Sequence, residues 1–98
     1  MTNQQMLEIM GLAAAVGQAA EEAIEYGYAL MKVERVLRGE SPTPVTLDDA
    51  WAKAREEYGD MLVSSDLISM RADLPGMYES MNEKRNRCAQ RLKELTER

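Results

Sequence analysis

The chain has 98 residues, a formal net charge of −5, one cysteine and no histidine. The lack of histidine excludes Ser/His/Asp or Cys/His catalysis and a zinc site built from His and Cys, because the base or the ligands are missing. The acidic balance disfavours binding to a nucleic-acid polymer, which relies on positive charge to replace phosphate counterions. A site built from carboxylate side chains is the class that remains.

Composition predicts one folded domain over residues 1–98. Hydrophobic residues make up 45% of the chain and only three residues are proline, which is typical of packed proteins rather than disordered ones. A domain this short buries only part of its apolar surface alone, so partner subunits are expected. The absence of a long apolar run and of a basic N-terminal segment predicts a protein with no membrane partner, and the lone Cys88 fits a reducing, cytoplasmic compartment.

Apolar residues at helical spacing predict a first helix from Thr2 to Leu37. Gly11 and Gly17 are two positions where this helix can bend or break. Gly39 is a natural C-terminal stop, and the prolines of the loop at 38–46 cannot continue a helix. The first helix is therefore expected to end just before this loop.

Thr46, followed by Asp49, resembles a capping box and predicts a second helix from Leu47 to about Ala72. Two stripes of small or apolar residues run along this helix, whereas a surface helix of a monomer needs only one to pack against the core. The first stripe consists of Ala50, Met61, Ser64 and Ile68, and the second of Trp51, Tyr58 and Leu62. The second stripe predicts a contact between subunits.

Pro75 suits the first turn of a third helix, whose other faces are basic and polar. Its apolar side consists of Met77, Met81, Cys88, Leu92 and Leu95. The sequence contains no strand pattern and no internal repeat. The predicted fold is all-α: an antiparallel bundle of three to four main helices, completed by oligomerisation to a homodimer or homotetramer.

Two pairs of acids have the same spacing on the first two helices. Glu22 and Glu25 share one helical face, and Glu57 and Asp60 repeat the pattern among small or apolar neighbours. Four carboxylates facing each other repel unless their pKa values rise or a cation compensates them. A hard divalent cation is the simpler solution, because Mg²⁺ or Mn²⁺ accepts oxygen ligands and keeps positions for water and phosphate. The pattern predicts a metal site with these four ligands.

Glu21 and Glu56 each precede a predicted ligand by one residue. Each can orient a metal-bound water, act as its base, or face solvent. A solvated acidic face is the alternative for the paired acids as well, since acids at i, i+3 spacing are common on exposed helices.

The segments EEAIE at 21–25 and EEYGD at 56–60 resemble the EExxE and ExxD motifs of the MazG-like, all-α nucleoside triphosphate pyrophosphohydrolases. An EExGD pattern followed by an apolar helix is frequent in that family. The run MNEKRNR resembles the family's N-x-K-x-x-R pattern, which contacts phosphates. The resemblance therefore implies that Asn82, Lys84 and Arg87 bind substrate.

The activity implied by the resemblance is Mg²⁺-dependent hydrolysis of a nucleoside or deoxynucleoside triphosphate to the monophosphate and pyrophosphate, with Glu21 or Glu56 as base. The chain departs from the family pattern by a longer gap between Glu25 and Glu57, and by Cys88 where members often have a further Arg.

Two alternatives remain. A phosphoribosyl-ATP pyrophosphohydrolase shares the helical carboxylate fold, although the EExGD form favours the MazG-like branch. A noncatalytic helical oligomer, acting as an interaction or regulatory module, would leave the acids solvated or paired with the basic third helix. This second alternative fits the segregation of charge: residues 1–66 carry 12 acidic and 5 basic side chains, and residues 67–98 carry 5 and 7.

Overall fold

The computed structural model describes residues 1–40, 44–69 and 74–97, with the backbone alone at 74 and 75. All regular structure in these residues is helical, so the prediction of an all-α fold is confirmed for them. The helices are α1 (Asn3–Met10), α2 (Leu12–Leu37), α3 (Leu47–Leu67) and α4 (Leu74–Thr96). Among the described residues, none of these helices has the length and apolar character needed to cross a bilayer.

The predicted first helix is two helices that meet at Gly11. This residue has φ 84° and ψ 146°, a conformation that side-chain-bearing residues rarely adopt, and it ends α1 while preceding α2. Thr2 caps α1 by accepting a hydrogen bond from the backbone N–H of Gln5 at 3.1 Å. Gly17, the other predicted break, lies inside α2 without interrupting it, because glycine is compatible with helical dihedrals.

The end of α2 confirms the predicted stop at Gly39, which has φ 70°. Its N–H donates to the carbonyl of Val36 at 3.1 Å, and the next N–H, of Glu40, donates to the carbonyl of Arg35 at 2.9 Å. These two bonds form a Schellman motif, in which a glycine with positive φ satisfies the last free carbonyls of the helix.

Helix α3 begins at Leu47 as predicted, because the Thr46 hydroxyl accepts a hydrogen bond from the Asp49 N–H at 3.1 Å. The helix ends at Leu67 and not near Ala72; its C-cap, Ile68, has φ −95° and ψ 1°. The predicted extension over 70–72 lies outside the described residues.

Helices α2 and α3 pack against each other, and α1 contacts both. Their shared core is small: Ala29 and Val33 of α2 lie against Ala50 and Ala54 of α3. Alanine at these positions lets the two helix backbones approach closely, since the side chains at a contact set the distance between axes. This close approach brings the acids of the two helices together.

The chain divides into two compact units, Met1–Ile68 with α1 to α3 and Ser69–Arg98 with α4. Helix α4 has Pro75 in its first turn, as predicted. The residues predicted for its apolar side are exposed: Met77, Met81, Cys88, Leu92 and Leu95.

Candidate metal centre

Three carboxylates from two helices converge beside the alanine core. Glu22 and Glu25 of α2 and Glu57 of α3 each offer one oxygen, and these oxygens lie within 4.8 Å of one another. Glu57 is buried, Glu22 is half-buried and Glu25 is exposed. This group, the carboxylate cluster, therefore extends from the interior of the unit to its surface.

The buried stripe of α3 explains the position of Glu57. Ala50, Ala54, Glu57 and Ser64 are all buried and recur at intervals of three, four and seven residues, which places them on one face. On α2, Glu25 precedes the buried Ala29 by one turn. The packing that buries the alanines therefore also forces the acids to face each other.

Like charges dominate the electrostatics of the carboxylate cluster. The negative charge of Glu22 raises the pKa of Glu25, and desolvation and the charge of Glu57 raise it further. A carboxyl group whose pKa is raised in this way requires more free energy to ionise than it does in water. Any cation that enters the cluster lowers that cost.

Two oxygens of the carboxylate cluster, Oε2 of Glu22 and Oε2 of Glu57, are buried without a hydrogen-bond partner among the described residues. The other oxygen of each side chain has a donor: Nε2 of Gln18 donates to Oε1 of Glu22 at 2.6 Å, and Nζ of Lys53 lies 2.9 Å from Oε1 of Glu57. Buried polar atoms are ordinarily satisfied, because an unpaired one retains its full desolvation cost. Two orphan carboxylate oxygens within one group of converging acids are suited to a cation.

The charge balance of the carboxylate cluster fits a divalent ion. Lys53 contacts Glu57 and also Glu56, at 3.7 Å, and its hydrogen bond to Glu57 is the main cause of its raised pKa. Lys53 makes the one ion pair to the cluster among the described residues, so two of the cluster's three carboxylates have no ion-pair partner there. At Mg–O distances of about 2.1 Å, two ligands of one ion lie at most about 4.2 Å apart, so small side-chain rotations bring these oxygens onto a common ion.

The fourth predicted ligand, Asp60, is exposed and is not part of the carboxylate cluster. The two predicted bases, Glu21 and Glu56, are also exposed, and Glu56 is paired with Lys53. The predicted substrate-binding residues are exposed on α4, in the second unit: Asn82, Lys84 and Arg87. The structure thus brings three of the four predicted metal ligands together.

A groove of ≈ 360 Å³ adjoins the carboxylate cluster. It is lined by Glu25, Tyr28, Ala29, Lys32, Arg35, Lys53 and Glu57. The cations of this basic groove were not predicted, although a signal exists: Glu25, Lys32 and Arg35 are spaced by seven and three residues, which places them on one side of α2.

Comparison of this chain with family models, with curated proteins and with solved structures finds no match. Its function is therefore inferred from its own residues: the carboxylate cluster, the orphan oxygens and the charges around them.

Proposed function

We propose that the carboxylate cluster binds Mg²⁺, or alternatively Mn²⁺, and that the protein is a metal-dependent nucleoside triphosphate pyrophosphohydrolase of the MazG-like kind that its motifs resemble. The observation that carries the proposal is the convergence of Glu22, Glu25 and Glu57, with two buried carboxylate oxygens left unpartnered. A noncatalytic acidic face has no need to hold such oxygens inside the protein, because solvated acids are satisfied by water.

The ligand set suits catalysis as well as binding. Glu22, Glu25 and Glu57 would hold the ion and would leave room in its coordination shell for water and for phosphate oxygens. Asp60 is the fourth ligand that we propose; it is exposed one turn beyond Glu57, so its side chain would have to reach the ion from the solvent side. A bound divalent ion supplies Lewis acidity at the phosphate and lowers the pKa of a coordinated water.

In the proposed reaction, the oxygen of water forms a bond to the α-phosphorus of the substrate. The bond from that phosphorus to the bridging oxygen breaks, and pyrophosphate leaves with the electron pair. Glu21 or Glu56, exposed beside the ligands, accepts the proton from water. The MazG-like pattern further suggests that Asn82, Lys84 and Arg87 of α4 contact the substrate and offset the charge on departing pyrophosphate.

We also propose that α2 and α3 are antiparallel and that a second copy of the chain completes the bundle as a homodimer or homotetramer. These helices are consecutive in the chain and pack against each other, which favours antiparallel neighbours. The second stripe of α3 supports the subunit contact, because Trp51, Tyr58 and Leu62 are 40%, 45% and 48% exposed in a single chain. Apolar side chains left open in a row on one helix are typical of an interface.

Pyrophosphate release is the direct test of the proposed activity. Purified protein is incubated with Mg²⁺ and, separately, each common nucleoside triphosphate, each deoxynucleoside triphosphate and phosphoribosyl-ATP. We expect turnover with at least one nucleoside triphosphate and a loss of more than about 100-fold in Glu57→Gln, since even outer-shell metal contacts are worth 10- to 100-fold. Glu34→Gln is the matched control, because Glu34 is an exposed acid of α2 paired with Arg38.

Each alternative has its own outcome in this experiment. Turnover of phosphoribosyl-ATP alone identifies the other pyrophosphohydrolase. No turnover with any of these substrates, in protein that is folded and has Mg²⁺ present, favours the noncatalytic helical oligomer.

A further inference from the structure

The basic groove is continuous with the carboxylate cluster. Glu25 and Glu57 belong to both, so a molecule lying in the groove reaches the acids at one end. The side chain of Glu57 is only 9% exposed, yet its Oε2 atom has no partner among the described residues. A ligand in the groove therefore meets an unsatisfied buried acid at that end.

The groove concentrates positive charge in an acidic part of the chain. Residues 1–66 carry five basic side chains, and three of these, Lys32, Arg35 and Lys53, line this one groove. The other two are Arg38, which pairs with Glu34 at 3.6 Å, and Arg55. Three cations gathered from two helices indicate an anionic ligand.

The arrangement of charge along the groove selects the kind of anion. Glu25 and Arg35 are ten residues apart on α2, about 15 Å along the axis at 1.5 Å per residue. Acids stand at one end, where a divalent ion would bridge to the ligand, and Lys32 and Arg35 continue from there along the helix. A single carboxylate or phosphate would engage only part of this row, whereas a chain of linked phosphates engages metal and cations together.

We infer that the basic groove is the polyphosphate subsite, in which Lys32, Arg35 and Lys53 bind the phosphate chain of a ligand whose other end is held through the metal at the carboxylate cluster. This inference rests on the proposed metal site and adds phosphate contacts from α2 and α3 to those proposed for α4. Lys53 connects the two sites: its ammonium contacts Glu57, and a divalent ion that took over that compensation would free it for phosphate. Polyphosphate therefore binds more tightly after the metal.

Isothermal titration with inorganic triphosphate, in saturating Mg²⁺, tests this inference without requiring turnover. We expect saturable binding to the wild type, about tenfold weaker binding for Lys32→Gln and for Arg35→Gln, and about 100-fold weaker binding for the double variant, since each factor of ten corresponds to the loss of one modest charged contact. The matched controls, Arg38→Gln and Arg55→Gln, remove the same charge elsewhere and are expected to stay within about twofold.

Circular dichroism melting of each variant checks that it is folded. If the double variant is unstable, the triphosphate affinities of the two single variants still test the inference. The inference is overturned if the wild type shows no saturable binding, if Lys32→Gln and Arg35→Gln bind as the wild type does, or if the two control variants weaken binding equally.

Failure of the subsite and failure of the proposed activity are separable. Mn²⁺ binding is measured on the same variants, and Lys32→Gln/Arg35→Gln is expected to bind Mn²⁺ as the wild type does. Triphosphate binding that depends on the groove, without hydrolysis of any nucleotide, supports the subsite and contradicts the enzyme. If the groove variants hydrolyse nucleotide with an unchanged KM and bind triphosphate with an unchanged Kd, the subsite is contradicted and the proposed activity is supported.

Discussion

Lys53 and Glu57 form an ion pair across one turn of α3, with Nζ 2.9 Å from Oε1, although 58% of the lysine side chain is exposed and only 9% of the glutamate. Lysine placed before glutamate is the weaker order for such a pair on a helix. Its importance therefore comes from the burial of Glu57, whose charge has to be compensated from the surface. The pair lies where the carboxylate cluster meets the basic groove, so cation and anion binding are expected to be coupled.

Mg²⁺ is expected to stabilise the folded protein. A ligand that binds only the native state contributes about 2.7 kcal/mol at 100 times its Kd, which is a shift of many degrees in Tm for a domain of this size. Glu57→Gln removes a buried ligand and should abolish most of the shift, whereas Glu34→Gln should retain it. Thermal melts with Mg²⁺ or with a chelator measure the difference, and an equal shift in both variants would place the metal elsewhere.

Glu25→Gln is expected to raise Tm in the absence of metal. The pKa of Glu25 is raised above the ordinary 4.5, chiefly by the charge of Glu22, so the folded state holds this proton more tightly than the unfolded state. Stability therefore falls as pH rises from 4.5 through the higher folded-state pKa, and the glutamine variant avoids that loss.

Melts of wild type and Glu25→Gln in chelator, from about pH 4 to about pH 8, follow this window. The two proteins should converge at the acidic end and separate above it, with the variant more stable. Saturating Mg²⁺ should reverse the order, because only the wild type keeps the ligand. A variant that is less stable than wild type at neutral pH in chelator contradicts this account of the carboxylate cluster.

The sequence was sufficient to predict helix ends that are set by local chemistry. Thr46 and Gly39 act through contacts within a few residues, and both predictions are confirmed. The break at Gly11 was only one of two options, because glycine in isolation is compatible with both a bend and a continuous helix. Its positive φ, and not its identity, distinguishes it from Gly17.

The acids of the candidate site were predictable to the extent that spacing fixes a helical face. Spacing predicted that four acids, Glu22, Glu25, Glu57 and Asp60, face each other, and the structure brings the first three together. Asp60 follows Glu57 at the same three-residue spacing yet is exposed, so spacing alone did not distinguish it from the acids that converge. The basic groove was not predicted because Lys53 lies on a different helix from Lys32 and Arg35. Only the packing of α3 on α2 brings the three cations together, and the local sequence pattern does not specify that packing.

The alanine contact between α2 and α3 provides a test of the fold. Ala54 is 2% exposed in the core, so Ala54→Leu should destabilise the protein by about 1–3 kcal/mol through overpacking. Ala52→Leu adds the same atoms at an exposed position two residues earlier and should change stability by less than about 0.5 kcal/mol. Chemical denaturation of both variants measures this, and equal effects would argue against the α2–α3 packing.

The two glycines of the N-terminal half should respond in opposite ways to alanine. Gly11→Ala places a side chain at φ 84° and should destabilise the protein by about 1–3 kcal/mol. Gly17→Ala lies in a helix interior with open space around the new methyl group, and should stabilise it by about 0.5–1 kcal/mol. Denaturation midpoints of the two variants measure this. Destabilisation by Gly17→Ala together with tolerance of Gly11→Ala would contradict a helix break at Gly11.

Counting bound Mn²⁺ by electron paramagnetic resonance tests most directly whether the acids of α2 and α3 form a metal site. Free Mn²⁺ gives a sharp signal that is lost on binding, so titration yields both the number of ions and their Kd. We expect at least one saturable ion per chain in the wild type, competition by Mg²⁺, and loss of the site in Glu57→Gln but not in Glu34→Gln. A wild type that binds no Mn²⁺, or a Glu57→Gln variant that binds it equally well, would contradict the account.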